Sequence, residues 1–198
     1  MPEAIVLQVT LVFAGYLCGS LSAAIITCRL MGLPDPRTQG SKNPGATNVL
    51  RVGGKKAAAI TLLGDAIKGV IPVVAAHLMQ QPPLILALVA LAAFLGHLYP
   101  VFFNFRGGKG VATFFGVLLA MTWPVGLATI ATWLVMARLF NISSLSAITA
   151  SILTPFYMWW LRPEKEFIIV SILISTLLLW RHRSNIRNLL KGTEGKIR

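Results

Sequence analysis

Long apolar runs separated by short polar connections make up most of this chain. A membrane-spanning helix needs about 20 predominantly apolar residues. Runs close to that length or longer are 4–30, 57–80, 84–104, 145–161 and 166–181. The first run lacks a basic leader and is too long for a signal-peptide core, so we expect a retained span. The pattern predicts an all-α integral membrane protein.

The stretch 111–140 is apolar but too long for one span. As a single helix it would be roughly 45 Å long at about 1.5 Å per residue, and Trp123-Pro124 lies at its middle. Because proline disfavours a helix interior, we expect two helices that meet at this dipeptide. The predicted number of spans is therefore seven.

The cations indicate which side of the membrane each connection faces. The chain is 56% hydrophobic and 12% charged, with a net charge of +12, whereas soluble domains are about a quarter charged. Lys and Arg concentrate in cytoplasmic connections. Seven spans with the N-terminus outside leave only Arg162 and Lys165 outside, whereas six spans divide the cations far more evenly. The inner cations are then Arg29, Arg37, Lys42, Arg51, Lys55, Lys56, Arg106, Lys109, Arg138, Arg181, Arg183, Arg187, Lys191, Lys196 and Arg198.

This topology puts the chemically versatile residues on the cytoplasmic side of a single polytopic domain, 1–198. The cytoplasmic segments are the loops 31–56, 104–110 and 138–144 and the tail 181–198. Cations spread over short connections do not indicate nucleic-acid binding. Cys18 and Cys28 share the first apolar run, so we expect packing roles and neither a disulfide framework nor a cysteine metal site.

The segment Gly40–Arg51 has the composition of an anion site. It combines small hydroxyl and amide side chains with glycines at Gly40 and Gly45 and cations at Lys42 and Arg51. Glycines let successive backbone N–H groups point into one concavity, and a guanidinium adds a planar fork of donors. Taken alone, the segment also suits a solvated turn between two helices.

A second basic, glycine-rich turn runs from Arg106 to Gly110, directly before a predicted helix. Unsatisfied N–H groups and the helix dipole favour an anion at such a position. The turn is not a Walker A loop, because that loop needs a glycine five residues before its Gly-Lys pair and Ser or Thr after the lysine. A flexible basic turn at the lipid headgroups is the alternative interpretation.

Asp65 and Lys68 lie three residues apart within the second span, so they share a helix face and can form an ion pair. Intramembrane charges are costly and serve a site or a structural lock; we favour the lock. Gly64 and Gly69 would let another helix approach closely. His97, near the cytoplasmic end of the third span, is expected to be a packed, hydrogen-bonded residue.

The cytoplasmic tail carries cations on one helix face and apolar residues on the other, which suits a helix at the anionic inner leaflet. His182 and Asn185 share a face at the end of the last span and could turn toward the other loops. Ser143 and Ser144 suit a helix cap, and their hydroxyls could join a phosphate site.

Several motifs in this order resemble the bacterial acyl-phosphate-dependent glycerol-3-phosphate acyltransferases. The motifs are Asp35–Arg51, Asp65-x-x-Lys68-Gly69, Gly96-His97 leading into Phe105–Ala112, and His182-x-x-Asn185 followed by Leu189, Gly192 and Glu194. They cover almost the whole chain. One departure is Gly19-Ser20-Leu21-Ser22, which has serine where the family usually has proline, so the helix geometry there is open.

The resemblance implies transfer of a fatty acyl group from acyl phosphate to the 1-hydroxyl of glycerol 3-phosphate, giving lysophosphatidic acid and phosphate. It implies catalytic roles for Arg51, Lys109 and His182. The residues that bind substrate or phosphate would be Gly40, Ser41, Asn43, Gly45, Thr47, Asn48, Arg51, Gly107, Gly108, Lys109, Gly110, Ser143, His182 and Asn185, with Asp65 and Lys68 as a structural pair.

The resemblance favours proton transfer to the donor's own phosphate, with His182 as a rival general base. No cofactor or metal is expected, because Asp35 and Asp65 are too isolated for a carboxylate cluster. The implied location is the bacterial inner (plasma) membrane with the active site facing the cytoplasm, and the implied partners are the lipid bilayer and the soluble enzyme that makes acyl phosphate.

A small anion or lipid-phosphate transporter is the alternative function, although the polar residues gathered at one membrane face argue against it. A non-catalytic scaffold ranks last.

Overall fold

The computed structural model describes residues 2–197, and within that range its regular structure is entirely helical, as predicted. Arg198, one of the cations assigned to the inner side, lies outside the described residues. The chain forms two compact units, which we call unit 1 (up to Met121) and unit 2 (from Thr122). The helices are α1 (Pro2–Gly19), α2 (Ala23–Leu30), α3 (Ala46–Leu78), α4 (Pro83–Leu98), α5 (Val111–Met121), α6 (Trp123–Phe140), α7 (Ser143–Leu161), α8 (Lys165–Arg181) and α9 (Arg183–Leu190), with a 3-10 turn at Val101–Phe103.

Unit 1 is held together by helices that cross with their backbones close together. The helix α1 packs on α4, and α3 packs on α1, α2, α4 and α5. Gly19 lies directly against the carbonyl of Ala93, and Gly96 lies against the backbone of Tyr16 and Ser20, so a side chain at either glycine would collide. Small residues at such crossings are typical of packing inside membranes, where close van der Waals contact replaces hydrophobic association.

The first apolar run is not one continuous helix, and its break lies at the place where the helix geometry was left open. It breaks after Gly19, and α2 leaves at an angle of 44° to α1. Ser22 takes an extended conformation (φ −87°, ψ 99°) and its Oγ accepts a hydrogen bond from the Ile25 N–H at 3.5 Å. The serine at this unusual place is therefore the N-cap of a new helix.

The predicted loop 31–56 is also partly helical. Helix α3 begins at Ala46 and is interrupted at Gly54, whose φ of +78° and ψ of −178° lie outside the helical region. Only glycine adopts that combination readily. A short helical segment that includes Arg51 therefore precedes the long segment that carries Asp65 and Lys68.

The break in the stretch 111–140 is confirmed. Helix α5 ends at Met121, Thr122 is extended (φ −161°, ψ 101°), and α6 begins at Trp123 with proline in its first turn. Proline is favoured there because its missing N–H would have no helical partner.

Unit 2 consists of α6 to α9. Helices α6 and α7 are joined by side-chain hydrogen bonds, 3.0 Å between the Oγ1 atoms of Thr129 and Thr154 and 2.8 Å between Thr132 Oγ1 and the Tyr157 hydroxyl. Helix α7 also packs on α8 and α9. The tail helix predicted from the sequence is α9, which bends by 60° from α8.

Three described helices are long and apolar enough to cross a membrane, and five do so if each bent pair counts as one span. Helix α5 is apolar but shorter, at 11 residues. Length and composition of the described helices therefore support several spans, and the count of seven stays a prediction.

The loop before α3 is tightened by an ion pair two residues apart. Arg37 donates from Nε to Asp35 Oδ1 at 3.1 Å and from a terminal nitrogen to Oδ2 at 2.7 Å, and its backbone N–H donates to Oδ1 at 2.8 Å. Hydrogen bonds from the Arg37 side chain lower the pKa of the Asp35 carboxyl, against a smaller opposing effect of partial burial. This turn leads into the Gly40–Arg51 segment.

We predict that Asp35→Asn destabilises the protein only where the carboxylate is charged. A lowered folded pKa means that the contribution to stability is complete above the unfolded pKa of about 3.9 and disappears as the pH falls through the lower folded value. Thermal unfolding in detergent should show a higher melting temperature for wild type than for the variant at about pH 6, and a shrinking difference toward about pH 3.

The control is Glu3→Gln, which removes an exposed carboxylate at the start of α1. It should give no such convergence. A wild-type advantage over Asp35→Asn that stays constant with pH would contradict the prediction.

Candidate active site

The Gly40–Arg51 segment is a loop that runs into the N-terminus of α3. Gly40 has a φ of +57°, and Gly45 is extended (φ −149°, ψ 162°) just before the helix begins. The Gly45 carbonyl accepts hydrogen bonds from the N–H groups of Asn48 and Val49, both at 3.0 Å. A glycine loop followed by a helix N-terminus is an arrangement that binds phosphate, since the first N–H groups of a helix have no intrahelical partner.

Asn48 holds this loop in shape. Its side chain is buried. Its Oδ1 accepts from the Ser41 N–H at 2.8 Å, and its Nδ2 donates to the carbonyls of Pro36 and Gln39 at 2.8 and 3.0 Å. These bonds use the amide's acceptor and both of its donor hydrogens. The side chain predicted to bind substrate thus shapes the backbone around Ser41.

The glycine-lysine turn lies on the end of α4 and against the first loop. Gly107 packs so closely on the carbonyls of His97 and Leu98 that a Cβ there would lie 2.7 Å from the Leu98 carbonyl carbon. A Cβ on Gly108 would lie 3.0 Å from the Pro44 carbonyl oxygen. The two glycine-bearing segments predicted to work together are therefore in contact within unit 1.

The same turn leads into the N-terminus of α5. Gly110 has a φ of +92° and its carbonyl accepts from the Phe114 N–H at 2.7 Å. Lys109, between two buried glycines, is half-buried, whereas Arg51 in the first turns of α3 is exposed. Arg51 and Lys109 therefore each lie near a helix N-terminus, a position that suits anionic groups.

The predicted pair of Asp65 and Lys68 is in contact, with 2.8 Å between Oδ1 and Nζ. Both side chains are buried and both reach the break between α1 and α2. Lys68 Nζ donates to the Leu21 carbonyl at 2.6 Å, and Asp65 Oδ1 accepts from the Ala23 N–H at 3.3 Å. The ion pair thereby satisfies backbone groups that the broken helix leaves open.

The predicted roles of Gly64 and Gly69 are confirmed by the packing around this pair. A Cβ on Gly64 would lie 2.8 Å from the Ala23 methyl group, and one on Gly69 would lie 2.8 Å from the Thr113 carbonyl oxygen. Helices α2 and α5 therefore approach α3 closely on either side of the charged residues.

In unit 2, Glu194 joins the tail to the start of α7. Its Oε1 accepts from Asn185 Nδ2 at 2.6 Å and from Ser144 Oγ at 2.7 Å. The tail folds back further, since the Ile197 N–H donates to the Asn141 carbonyl at 2.8 Å. The predicted serine cap is wrong: Ile142 occupies the N-cap position, and Ser143 is the first residue of α7 and half-buried.

His182 is buried at the junction of α8 and α9. Its Nδ1 lies 2.8 Å from the Leu178 carbonyl oxygen. A carbonyl only accepts hydrogen bonds, so Nδ1 carries the proton, and in a neutral ring Nε2 is then the acceptor nitrogen. The orientation of the ring is thus fixed by its own helix.

Two features escaped the sequence analysis. The loop-shaping role of Asn48 was not anticipated, although asparagine is typical of side-chain-to-backbone bonding near helix starts. Glu194 was noted only as part of a motif. As the single acidic residue in a basic tail it was a visible signal, but its partner Ser144 is 50 residues away in sequence.

Comparison with known proteins shows the family. The model of the family described as glycerol-3-phosphate acyltransferase matches residues 9–192. A glycerol-3-phosphate acyltransferase of Thioalkalivibrio sulfidiphilus is 59% identical over 187 residues, covering 94% of this chain and 92% of the relative. One of Methylococcus capsulatus is 56% identical, covering 92% of both chains.

Solved structures show the same fold. A crystal structure described as PlsY (YgiH), an integral membrane glycerol 3-phosphate acyltransferase, in its glycerol 3-phosphate form, aligns with a TM-score of 0.91 at 38% identity over 96% of this chain and 94% of the other. The lysophosphatidic acid form of PlsY aligns with a TM-score of 0.89 at 37% identity and the same coverage. This all-helical integral membrane protein therefore belongs to the glycerol-3-phosphate acyltransferase family.

Proposed function

We propose that the protein transfers a fatty acyl group from acyl phosphate to the 1-hydroxyl of glycerol 3-phosphate, which yields lysophosphatidic acid and inorganic phosphate. The main support is the contact between Gly108 and Pro44, which joins two glycine-bearing segments that both carry cations. The reaction needs two phosphates close together, and two such segments side by side suit that task. The acceptor and the product named here are those of the PlsY structures.

In the proposed mechanism the protein binds, neutralises and orients the reactants. The segment Gly40–Arg51 supplies Ser41, Asn43 and Thr47 together with the N–H groups at the start of α3, and Asn48 holds this loop in position. The turn 107–110 supplies backbone N–H groups and Lys109. Cations and oriented N–H groups offset the repulsion between two anions and fix their geometry, which can lower a barrier by several kcal/mol.

The chemical step balances without a protein nucleophile. The hydroxyl oxygen of glycerol 3-phosphate attacks the carbonyl carbon of acyl phosphate, and the bond from that carbon to the phosphate oxygen breaks. The leaving phosphate takes the electron pair and also accepts the hydroxyl proton. His182 and Asn185, in unit 2, orient a substrate phosphate by hydrogen bonding, and Ser143 adds a hydroxyl.

We further propose one polytopic domain with seven spans, the N-terminus outside and the tail in the cytoplasm, in the bacterial inner membrane. Exposed tryptophans support this topology, because they lie where helix ends would meet the membrane surfaces. Trp159 and Trp160 lie at the end of α7, and Trp180 lies at the end of α8. Tryptophan is enriched at both membrane–water interfaces. The Arg183 guanidinium lies 5.0 Å from the Trp180 ring centre, which suits the cation-rich inner interface. A soluble enzyme on the same side would then supply acyl phosphate.

The first prediction concerns the reaction and the side on which it occurs. Purified protein in lipid vesicles should convert acyl phosphate and glycerol 3-phosphate into equal amounts of phosphate and lysophosphatidic acid. In sealed bacterial membrane vesicles, external glycerol 3-phosphate should be used by inside-out vesicles, and by right-side-out vesicles only after permeabilisation.

These outcomes separate the competing functions. Uptake of labelled phosphate or glycerol 3-phosphate without acylated product would indicate a transporter and overturn the proposal. Product formed equally by intact vesicles of both orientations would overturn the cytoplasmic placement of the site.

The second prediction separates the cations from the histidine. Arg51→Ala and Lys109→Ala should each reduce kcat by about 10²- to 10³-fold, the usual effect of removing an oriented group that stabilises developing charge. His182→Ala should cause a smaller loss, about tenfold, because the donor's phosphate takes the proton. Lys56→Ala, at an exposed cation outside the proposed site, is the matched control and should retain activity.

A different ranking would change the mechanism. If His182→Ala abolished turnover in a folded protein that still bound both substrates, His182 would be the general base. If Arg51→Ala and Lys109→Ala behaved like Lys56→Ala, the proposed charge clamp would be wrong.

The third prediction concerns the hydrogen bonds that hold Asn185. Glu194→Ala removes both acceptor contacts and should lower turnover strongly, whereas Ser144→Ala removes one donor and should have a small effect, since a single hydrogen bond contributes about 1 kcal/mol. Glu194→Gln keeps a carbonyl acceptor and should lie between them. Turnover is measured with Thr193→Ala as the control in the adjacent tail residue. Equal losses from Glu194→Ala and Thr193→Ala would contradict a positioning role for Glu194.

A further inference from the structure

His97 lies between the buried ion pair and the glycine-lysine turn. It belongs to the last turn of α4 and is 6% exposed. Its Nδ1 lies 3.6 Å from Asp65 Oδ1. The opposite edge of the ring faces Gly108, where an added Cβ would lie 3.0 Å from His97 Cε1 and collide with Nε2. One rigid ring therefore spans from a buried carboxylate to the backbone of the turn.

The contacts continue beyond the turn into the first loop. A Cβ on Gly108 would meet both the Pro44 carbonyl and the His97 ring, and Gly107 rests against the His97 carbonyl. A displacement of the His97 ring would therefore move the Gly108 backbone or leave a gap beside it. The turn that carries Lys109 and the loop that precedes Arg51 share this single stack of contacts.

The inner end of the stack is firmly anchored. Asp65 is held by Lys68 at 2.8 Å and by the Ala23 N–H at 3.3 Å. Its own carbonyl accepts from Thr113 Oγ1 at 2.8 Å, which ties α3 to the first turn of α5. The carboxylate that faces His97 is thus held by groups from α2 and α3, and the Asp65 backbone is held by α5.

We propose that His97 is a positioning residue that sets the spacing between the Lys109 turn and the Gly40–Arg51 loop. Its Nδ1 edge lies beside Asp65 and its Nε2 edge lies against Gly108. The inference rests on the proposed function, in which this spacing aligns two bound phosphates. A structural role alone would require only that the ring fill its space in the helix packing.

The two ring nitrogens can be tested separately. In His97→Asn the side-chain amide takes the place of Nδ1 beside Asp65 but is too short to reach Gly108. In His97→Gln the amide reaches the place of Nε2 and can support Gly108. His97→Leu keeps apolar volume and loses both polar edges, and it carries the test if His97→Asn does not fold.

We expect kcat to fall by about 10- to 100-fold in His97→Asn and His97→Leu, because displacing a reacting group by about 1 Å can cost that much. The KM values for both substrates should stay within about threefold, since each phosphate keeps its own binding groups while their alignment is lost. His97→Gln should retain most of the wild-type kcat. Equal kcat losses in the Asn and Gln variants, or a change confined to KM, would overturn the proposal.

The control is Val73→Ala, which opens a cavity at a fully buried position of α3 in unit 1 and leaves His97, Asp65 and Gly108 in place. It should lower the melting temperature and leave kcat within about twofold, because it does not touch the stack of contacts. If Val73→Ala reduced kcat as much as His97→Asn, general loosening of unit 1 would explain both, and the proposal would fail.

A second measurement needs no turnover. Amide hydrogen exchange should accelerate over 40–51 and 107–110 in His97→Asn or His97→Leu and stay near wild type in His97→Gln. If wild-type protein makes no lysophosphatidic acid, the proposed function fails while this pattern still tests the positioning role. Unchanged exchange in all His97 variants would overturn the positioning role whatever the activity.

Discussion

The ion pair between Asp65 and Lys68 is the interaction on which unit 1 depends. Helix α1 ends within the apolar run, and a helix that stops there leaves backbone groups without partners in an environment that offers little water. Lys68 reaches the Leu21 carbonyl and Asp65 reaches the Ala23 N–H. Each charge thus has both an opposite charge and a backbone partner, which offsets the cost of burial. The break allows α2 to leave α1 at its 44° bend.

Close backbone contacts at glycines bring the two basic loops together. Gly96 places the end of α4 against α1, and Gly107 and Gly108 place the turn against the end of α4. Side chains at these positions would separate the elements. The two basic loops consequently meet through main-chain atoms. A site for two phosphates needs cations that are held in fixed positions although they repel each other. Close backbone packing makes the loops that carry those cations rigid.

In unit 2 the polar residues of the tail are organised by an acidic group. Glu194 gathers Asn185 and Ser144 onto one carboxylate oxygen, and the Leu178 carbonyl fixes the His182 ring. The two hydrogen bonds to the Glu194 carboxylate are charge-assisted, and such bonds are shorter and stronger than neutral ones. An amphipathic helix at a lipid surface alone would not require them. The tail therefore combines a basic outer face with a defined polar arrangement around α7.

The sequence alone determined the helical class, the division at Trp123, the tail helix and the family, because apolar run length, proline placement and local motifs are properties of neighbouring residues. It also identified Asp65 and Lys68 as a pair, since three residues define one helix face. Only the tertiary structure decided that this pair caps a broken helix, that Asn48 shapes the loop, and that His97 meets Gly108. These contacts join residues from 7 to 47 positions apart or depend on glycine-mediated crossings. Residue spacing carries no information about which backbones approach closely, because the fold alone sets those distances.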